Sequence, residues 1–374
     1  MLRNVVFQAH WLVGITVGTF MAFSGLTGGL MAFGPQLTDF FSGANDRVAA
    51  SSAAPLAVPA LYARVHEQLP QSTVTKISVY QDVRKPVKIV FAAPPGPMGP
   101  LGPQPTTRLA NPYTGELLPV RPAGRAIERF MSWLRDVHQG HWSGPGGISS
   151  VAATCVGLGA VLLIAMTFAG LYLRWPRGKA AGKWRSWLRI YPRLKGRAFL
   201  FNLHAVLGTC ALLVLLMIAH SGAFQNGEMS WYGNTVRRLT GLPPLVERGP
   251  PPGAAGAGPG MEQGPPPGAG GPGAVSIVYL GAHGYVDADA VDIDVARTLE
   301  FDPATGGLKD VPPDPAPRTF GEKLAANNQI IHEGRIFGPW GVLAVMLAAL
   351  CLPVFYVTGW MMYLQRRRRG TGDA

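Results

Sequence analysis

The run 199–223, FLFNLHAVLGTCALLVLLMIAHSGA, decides the fold class of this protein. It contains no Asp, Glu, Lys or Arg, and its 25 residues exceed the roughly 20 that cross the hydrocarbon core of a bilayer. Three more uncharged runs lie at about 11–33, 149–173 and 339–364. Only 14% of the 374 residues are charged, against about a quarter in soluble proteins. The sequence therefore predicts a membrane protein with four transmembrane helices.

The distribution of charge predicts how these helices are oriented. The net charge is +12, but the segment 174–197 alone carries nine basic residues and no acid, and Arg366–Arg369 add four more. Basic residues concentrate in cytoplasmic segments of membrane proteins. Both termini and the 174–198 loop are therefore expected in the cytoplasm of a bacterium. The excess of basic residues therefore indicates how the helices are oriented in the inner membrane, where the protein contacts lipid. It does not indicate nucleic-acid binding.

This topology divides the chain into eight parts. The 23-residue first run is longer than the roughly 7–15 residues of a signal-peptide core, so a retained helix is expected. The predicted parts are a first transmembrane helix (1–33), a periplasmic domain (34–148), a second helix (149–173), the basic cytoplasmic loop (174–198), a third helix (199–223), a second periplasmic segment (224–338) with a disordered Pro/Gly tract (249–273), a fourth helix (339–364) and a cytoplasmic tail (365–374).

Both periplasmic segments show patterns of small α+β domains. In the first, PALYARVHEQLP predicts a short helix, and strand-like stretches follow from Val74. The second contains AVSIVYL, AVDIDVA and TLEFDPATGGLKDV, which are also strand-like. Two similar turns, 111–115 (NPYTG) and 302–306 (DPATG), predict two hairpins, with glycine supplying a positive φ. Their recurrence indicates a repeated structural unit.

The histidines carry the predicted chemistry. His10 and His204 begin the first and third helices on the cytoplasmic side, whereas His138, His332 and His220 lie near the outer side, with His141 close by. An imidazole at membrane depth is costly unless it is paired or ligated. His204 and His220 are 16 residues apart, about 24 Å along a helix, which suits two haems stacked across a bilayer. His10 pairs naturally with His204, but the outer pairing stays open.

Glycines support haem binding at the cytoplasmic level. Gly14 and Gly208 each lie four residues after a histidine, on the same helical face, where the absence of a side chain allows a flat macrocycle to approach. No CxxCH motif occurs, so we expect non-covalent haem b, with two haems as the expected number. The three cysteines fall in apolar runs and are predicted to be buried thiols without disulfides.

The chain lacks motifs for other redox cofactors. It contains no GxGxxG between a strand and a helix, no Walker loop, no HExxH and no GxSxG. Electrons would therefore come from a partner, either the quinone pool or a cytoplasmic reductase.

Several motifs together resemble the PepSY-associated transmembrane family: HWLVG at 10–14, SGLTG at 24–28, DVH at 136–138, GLYLRWP at 170–176, NLH at 202–204 and HEGR at 332–335. The NPYTGE turn resembles the PepSY repeat itself. The resemblance implies a bundle of four transmembrane helices with periplasmic α+β domains. His10, His138, His204 and His332 fall on histidine positions that recur in the family.

Members of that family include inner-membrane reductases of siderophore iron that carry haem. The resemblance thus implies electron transfer to a ferric siderophore outside, releasing Fe(II) for uptake. Two alternatives stay open: a non-catalytic PepSY protein that binds or regulates a periplasmic peptidase, and a haem-bearing subunit that feeds a separate periplasmic oxidoreductase.

Overall fold

A computed structural model describes most of the helical sequence and part of the sheet. The described residues are 1–44, 46–80, 82–92, 105–140, 148–175, 187–242, 275–280, 299–301, 308–310, 321, 324–325 and 327–370. The chain divides into two compact units. One comprises residues 1–32, 134–251 and 324–374, and the other comprises residues 33–133 and 252–323.

The predicted apolar runs are helical, and further helices lie between them. In chain order the described helices are α1 Leu2–Thr16, α2 Gly18–Met31, α3 Gly34–Ser42, α4 Val58–Gln68, α5 Pro122–Gln139, α6 Ile148–Arg174, α7 Gly196–Gln225, α8 Ser230–Leu239, α9 Asn328–His332 and α10 Gly338–Gly370. The described strands are β1 Val74–Tyr80, β2 Val87–Phe91, β3 Thr106–Ala110, β4 Val275–Leu280, β5 Leu299–Phe301 and β6 Leu308–Asp310.

Three described segments are helical, long and apolar enough to cross a membrane: Val151–Arg174, Gly196–Gln225 and Arg335–Arg366. The predicted first helix is instead broken into α1 and α2, which meet at an angle of 59° and pass the same test together. The bend lies at Val17, between Gly14 and Gly18. The Thr16 hydroxyl donates to the Leu12 carbonyl at 2.8 Å, a bond that often accompanies helix bending. The chain is therefore a multi-pass membrane protein.

Glycines let α2 pack closely on α10. A Cβ on Gly25 would lie 2.5 Å from the Ala349 carbonyl oxygen, and one on Gly29 would lie 2.8 Å from Leu350 Cδ2. The two glycines are four residues apart, the spacing that brings membrane helices together. Pro353 lies inside α10 and has no N–H for the Ala349 carbonyl. The helix thus exposes a polar oxygen where only glycine leaves room.

Within the described part of the second unit, six strands form one sheet in the order β3-β2-β1-β4-β5-β6. Each half is an antiparallel meander, and the halves join because β1 and β4 pair in parallel. The strand-like stretches at Val74–Tyr80 and Val275–Leu280 thus belong to one sheet, which both sequence segments share. Helix α4 packs on β1 to β3 through Leu61 and Val65, against Ile77 and Ile89.

The first predicted turn forms as expected. Asn111 accepts a hydrogen bond from the Tyr113 amide at 2.9 Å, and Gly115 has φ +73°. The second turn at 302–306, the Pro/Gly tract at 249–273, the stretch AVDIDVA, His141 and His283 lie outside the described residues. The three cysteines are free, but the prediction that they are buried is wrong: Cys155 and Cys351 are only half-buried, and Cys210 is exposed on α7.

An ion pair connects α3 to the sheet. Asp39 on α3 bonds Lys88 on β2. Burial alone would lower the pKa of Lys88, but attraction by Asp39 and Tyr80 outweighs it and raises the pKa above its ordinary value. The folded state therefore stabilises the charged form of Lys88.

Candidate functional site

Two of the predicted histidines face each other within the helical unit. His138 lies near the end of α5 and His332 at the end of α9, and their ring centroids are 6.4 Å apart with an interplanar angle of 54°. Two imidazoles bound to one metal ion through metal–nitrogen bonds of about 2 Å have centroids about 6 Å apart. We call these residues the α5/α9 pair. Among the described outer histidines, His138 and His332 are thus the two whose rings lie close together.

Neighbouring helices hold the two rings of this pair in the same way. His138 Nδ1 lies 3.0 Å from the Thr27 hydroxyl on α2, and His332 Nδ1 lies 2.8 Å from the Ser221 hydroxyl on α7. Both hydroxyl residues are buried, at 4% and 1% exposure. Each ring is therefore anchored through the nitrogen that would not bind a metal.

His10 on α1 and His204 on α7 are the two residues that the sequence predicts to pair on the cytoplasmic side, and we call them the α1/α7 pair. His204 Nδ1 lies 2.8 Å from the Thr358 hydroxyl on α10, and its ring packs on Phe355 with centroids 4.9 Å apart. His10 differs, because its Nδ1 is buried and has no hydroxyl partner among the described residues.

The three hydroxyls also contact backbone carbonyls of their own helices. Thr358 Oγ1 lies 2.7 Å from the Val354 carbonyl oxygen, Ser221 Oγ lies 2.7 Å from that of Met217, and Thr27 Oγ1 lies 3.0 Å from that of Phe23. A hydroxyl that donates to its own helix can accept from the ring, and this arrangement favours the imidazole tautomer with its proton on Nδ1. In that tautomer the Nε2 lone pair is available to a metal.

The two pairs lie at different depths of the helical unit. Helix α7 supplies His204 to one pair and Ser221 to the other, and these residues are 17 positions apart, about 25 Å along the helix. An apolar cluster packs within the unit, made of Ala211, Leu215, Ala348 and Leu352. The unit therefore presents two polar levels and an apolar core.

The remaining candidates lie elsewhere. His220 is not brought to the α5/α9 pair: it is exposed and hydrogen bonded to the Tyr232 hydroxyl at 2.7 Å. A Cβ on Gly14 would meet Met166 Cε at 3.4 Å, so a flexible side chain occupies the space beside this glycine. The space beside Gly208 is more open, since Phe355 Cζ is 4.0 Å away.

The sequence reasoning missed helix α5 and the three anchoring hydroxyls. A signal for α5 is present, because Ile127, Met131, Leu134 and His138 recur at helical spacing. The hydroxyls have a weaker signal: each is a Ser or Thr followed by Gly in an apolar run.

Fold and site together define a multi-pass membrane protein in which His138 and His332 face each other, together with a separate unit that contains a β-sheet. The PepSY-associated TM region family matches residues 7–366. The chain belongs to this family, as its motifs predict. No curated protein matches the chain.

Proposed function

We propose that this protein is a haem-dependent reductase of the bacterial inner membrane, which passes electrons across the bilayer to a ferric siderophore. The observation that carries the proposal is the α5/α9 pair, with centroids 6.4 Å apart and both Nδ1 atoms engaged by hydroxyls. Two imidazoles with free Nε2 atoms are the donor set that haem iron takes in bis-histidine electron-transfer sites.

In this proposal the chain crosses the membrane four times, with α1 and α2 forming one bent crossing. The described part of the loop before α7 carries Arg189, Arg193 and Lys195, and Arg197 lies in the first turn of α7. Basic residues favour the cytoplasmic side. The α1/α7 pair then lies near the cytoplasm and the α5/α9 pair near the periplasm. Both termini are cytoplasmic, and the sheet unit is periplasmic.

Each histidine pair would hold one haem b. Bound haem would supply a one-electron redox centre. The residues around it have three roles: the imidazoles bind the iron, the hydroxyls of Thr27, Ser221 and Thr358 fix the rings, and the apolar cluster around Leu215 and Leu352 excludes water. These apolar side chains give the space between the two levels a low dielectric constant and separate it from solvent.

The reaction balances as two successive one-electron transfers. A quinol gives up two electrons and releases two protons on the inner side, or a cytoplasmic reductase supplies the two electrons, and two Fe(III) siderophore complexes outside each gain one electron to become Fe(II). Reduction weakens the hold of hard oxygen ligands on the iron, so the metal can leave the siderophore for uptake. The sheet unit supplies the periplasmic surface on which the ferric complex docks.

The test is a reduced-minus-oxidised visible spectrum of the detergent-purified protein, with a pyridine haemochrome assay. We expect a b-type signal with two haems per chain. His204→Ala should remove about half of it, whereas His66→Ala, which changes a ring stacked on Tyr62 in the sheet unit, should leave it intact. Absence of haem after reconstitution would overturn the proposal and favour the non-catalytic PepSY alternative. Haem without ferric reduction would favour a subunit that feeds a separate oxidoreductase.

A further inference from the structure

Three of the four paired histidines meet the same two-residue element on another helix. The hydroxyl residue that contacts each ring is followed directly by glycine: Thr27-Gly28 for His138, Ser221-Gly222 for His332 and Thr358-Gly359 for His204. The elements belong to three different helices, and their similarity is therefore not a consequence of one local repeat.

The glycine of this element gives the ring a place to lie. A Cβ on Gly28 would be 3.0 Å from His138 Cε1, and a Cβ on Gly222 would be 3.3 Å from His332 Cε1. These contacts are tighter than most side chains tolerate. The backbone carbonyl four residues before each of these glycines also faces the ring. It is the carbonyl of Ser24 for His138 and that of Ile218 for His332.

His10 lies against an equivalent element on α6 that has no hydroxyl. A Cβ on Gly170 would be 3.4 Å from His10 Cε1, and the carbonyl of Met166, four residues before Gly170, faces the ring. The residue before the glycine is Ala169. At this position His10 Nδ1 is buried and has no hydroxyl partner among the described residues.

The two levels therefore differ in how firmly they hold their rings. Both histidines of the α5/α9 pair have the hydroxyl and the close glycine. In the α1/α7 pair the two contacts are divided: His204 has the Thr358 hydroxyl, but a Cβ on Gly359 would meet nothing within 4 Å, and His10 has only the glycine.

We propose that Thr27, Ser221 and Thr358 are positioning residues that set the donor strength of the metal-binding histidines, and that Ala169 makes His10 the weakest donor. This inference rests on the proposed function. An acceptor on Nδ1–H makes an imidazole a stronger donor to its metal. A stronger donor stabilises the oxidised iron, so the missing hydroxyl at Ala169 raises the reduction potential at the α1/α7 level.

Substitutions of opposite sense test this in the purified full-length protein by spectroelectrochemical titration. Ala169→Ser supplies an acceptor and should lower one haem midpoint potential. Thr358→Val removes an acceptor while keeping the side-chain shape, and should raise the potential at the same level. Thr358→Ser should restore the wild-type value, and Ala169→Val, which adds volume without an acceptor, should not lower it. Equal potentials in all variants, or shifts of the same sign, would overturn the inference.

A second measurement does not depend on haem. Nitrogen-15 NMR of histidine-labelled protein without haem distinguishes the two tautomers, with His204 assigned through H204Q. We expect an Nδ1–H signal for His204 that is lost in Thr358→Val and kept in Thr358→Ser. These tautomer changes in a protein that never binds haem would overturn the proposed function but support the positioning role. Haem binding with unchanged tautomers and potentials would overturn this inference alone.

Discussion

The imidazoles of His138 and His332 lie 6.4 Å apart, centroid to centroid, although 194 residues separate them in the chain. If both bind one iron, removing either should remove the same haem. We therefore expect His138→Ala and His332→Ala each to reduce the haem content from two per chain to one, measured by pyridine haemochrome. The double variant should lose no more than either single variant.

His220 provides the matched control for this prediction. It lies at the same height along α7 as Ser221, which contacts His332, but its own Nδ1 bonds the Tyr232 hydroxyl at 2.7 Å. His220→Ala should keep both haems. A loss of haem in His220→Ala equal to that in His332→Ala would contradict the pairing described here.

The close packing of α2 on α10 predicts a strong effect at Gly25. A Cβ there would lie 2.5 Å from the Ala349 carbonyl oxygen and 2.7 Å from Leu352 Cβ, neither of which can swing aside. Gly25→Val should therefore separate the helices and lower the thermal unfolding temperature in detergent, with a loss of about 2 kcal/mol or more. Gly159→Ala on α6 is the control, since its nearest neighbour is Met21 Cγ at 4.0 Å. Similar melting of both variants would show that α2 and α10 do not approach this closely.

Two glycines with positive φ allow the cost of backbone strain to be measured apart from the cost of a steric contact. One of them lies in the turn after β3. Gly115 has φ +73° and a Cβ there would lie 2.6 Å from Arg64 Cβ, whereas Gly241 has φ +72° and nothing within 4 Å. Gly241→Ala should cost about 1 kcal/mol from strain alone. Gly115→Ala should cost more, because α4 must also shift. Thermal unfolding of the two variants measures the difference, and equal destabilisation would argue against the contact with α4.

The Lys88–Asp39 pair predicts a dependence of stability on alkaline pH. The two side chains are only 24% and 23% exposed, so Asp39→Asn should destabilise the sheet unit by about 1–3 kcal/mol by leaving a charge without its partner. The raised pKa of Lys88 means that its contribution is present below the ordinary lysine pKa of about 10.4. It should be lost as the pH rises through the raised value.

Thermal unfolding of wild type and Asp39→Asn between pH 7 and 11 measures this contribution. The difference in unfolding temperature between the two proteins should stay constant at first and become smaller only above about pH 10. Arg47→Gln is the control, since Arg47 pairs with Asp82 while 62% exposed and should cost less than about 1 kcal/mol. A difference that does not change over this range would contradict the raised pKa.

The sequence by itself determined the membrane class, the apolar runs, the basic segments and the sheet repeat, because each follows from composition and local period. It also determined the depth of His10 and His204, since depth along a helix follows from residue number. It did not reveal that the first run is bent by 59°, because glycines and a threonine within a helix permit a bend without requiring one.

Only the tertiary structure decided which residues meet. Residue number gives the height of a side chain along its helix but not the rotation of that helix against its neighbours. Packing of α2, α5, α7 and α9 therefore turned His138 and His332 toward each other and left His220 facing Tyr232. The same packing placed the Thr358 hydroxyl on His204 and set Ala169-Gly170 beside His10. Contacts between segments so distant in the chain depend on interhelical packing, which no local sequence pattern encodes.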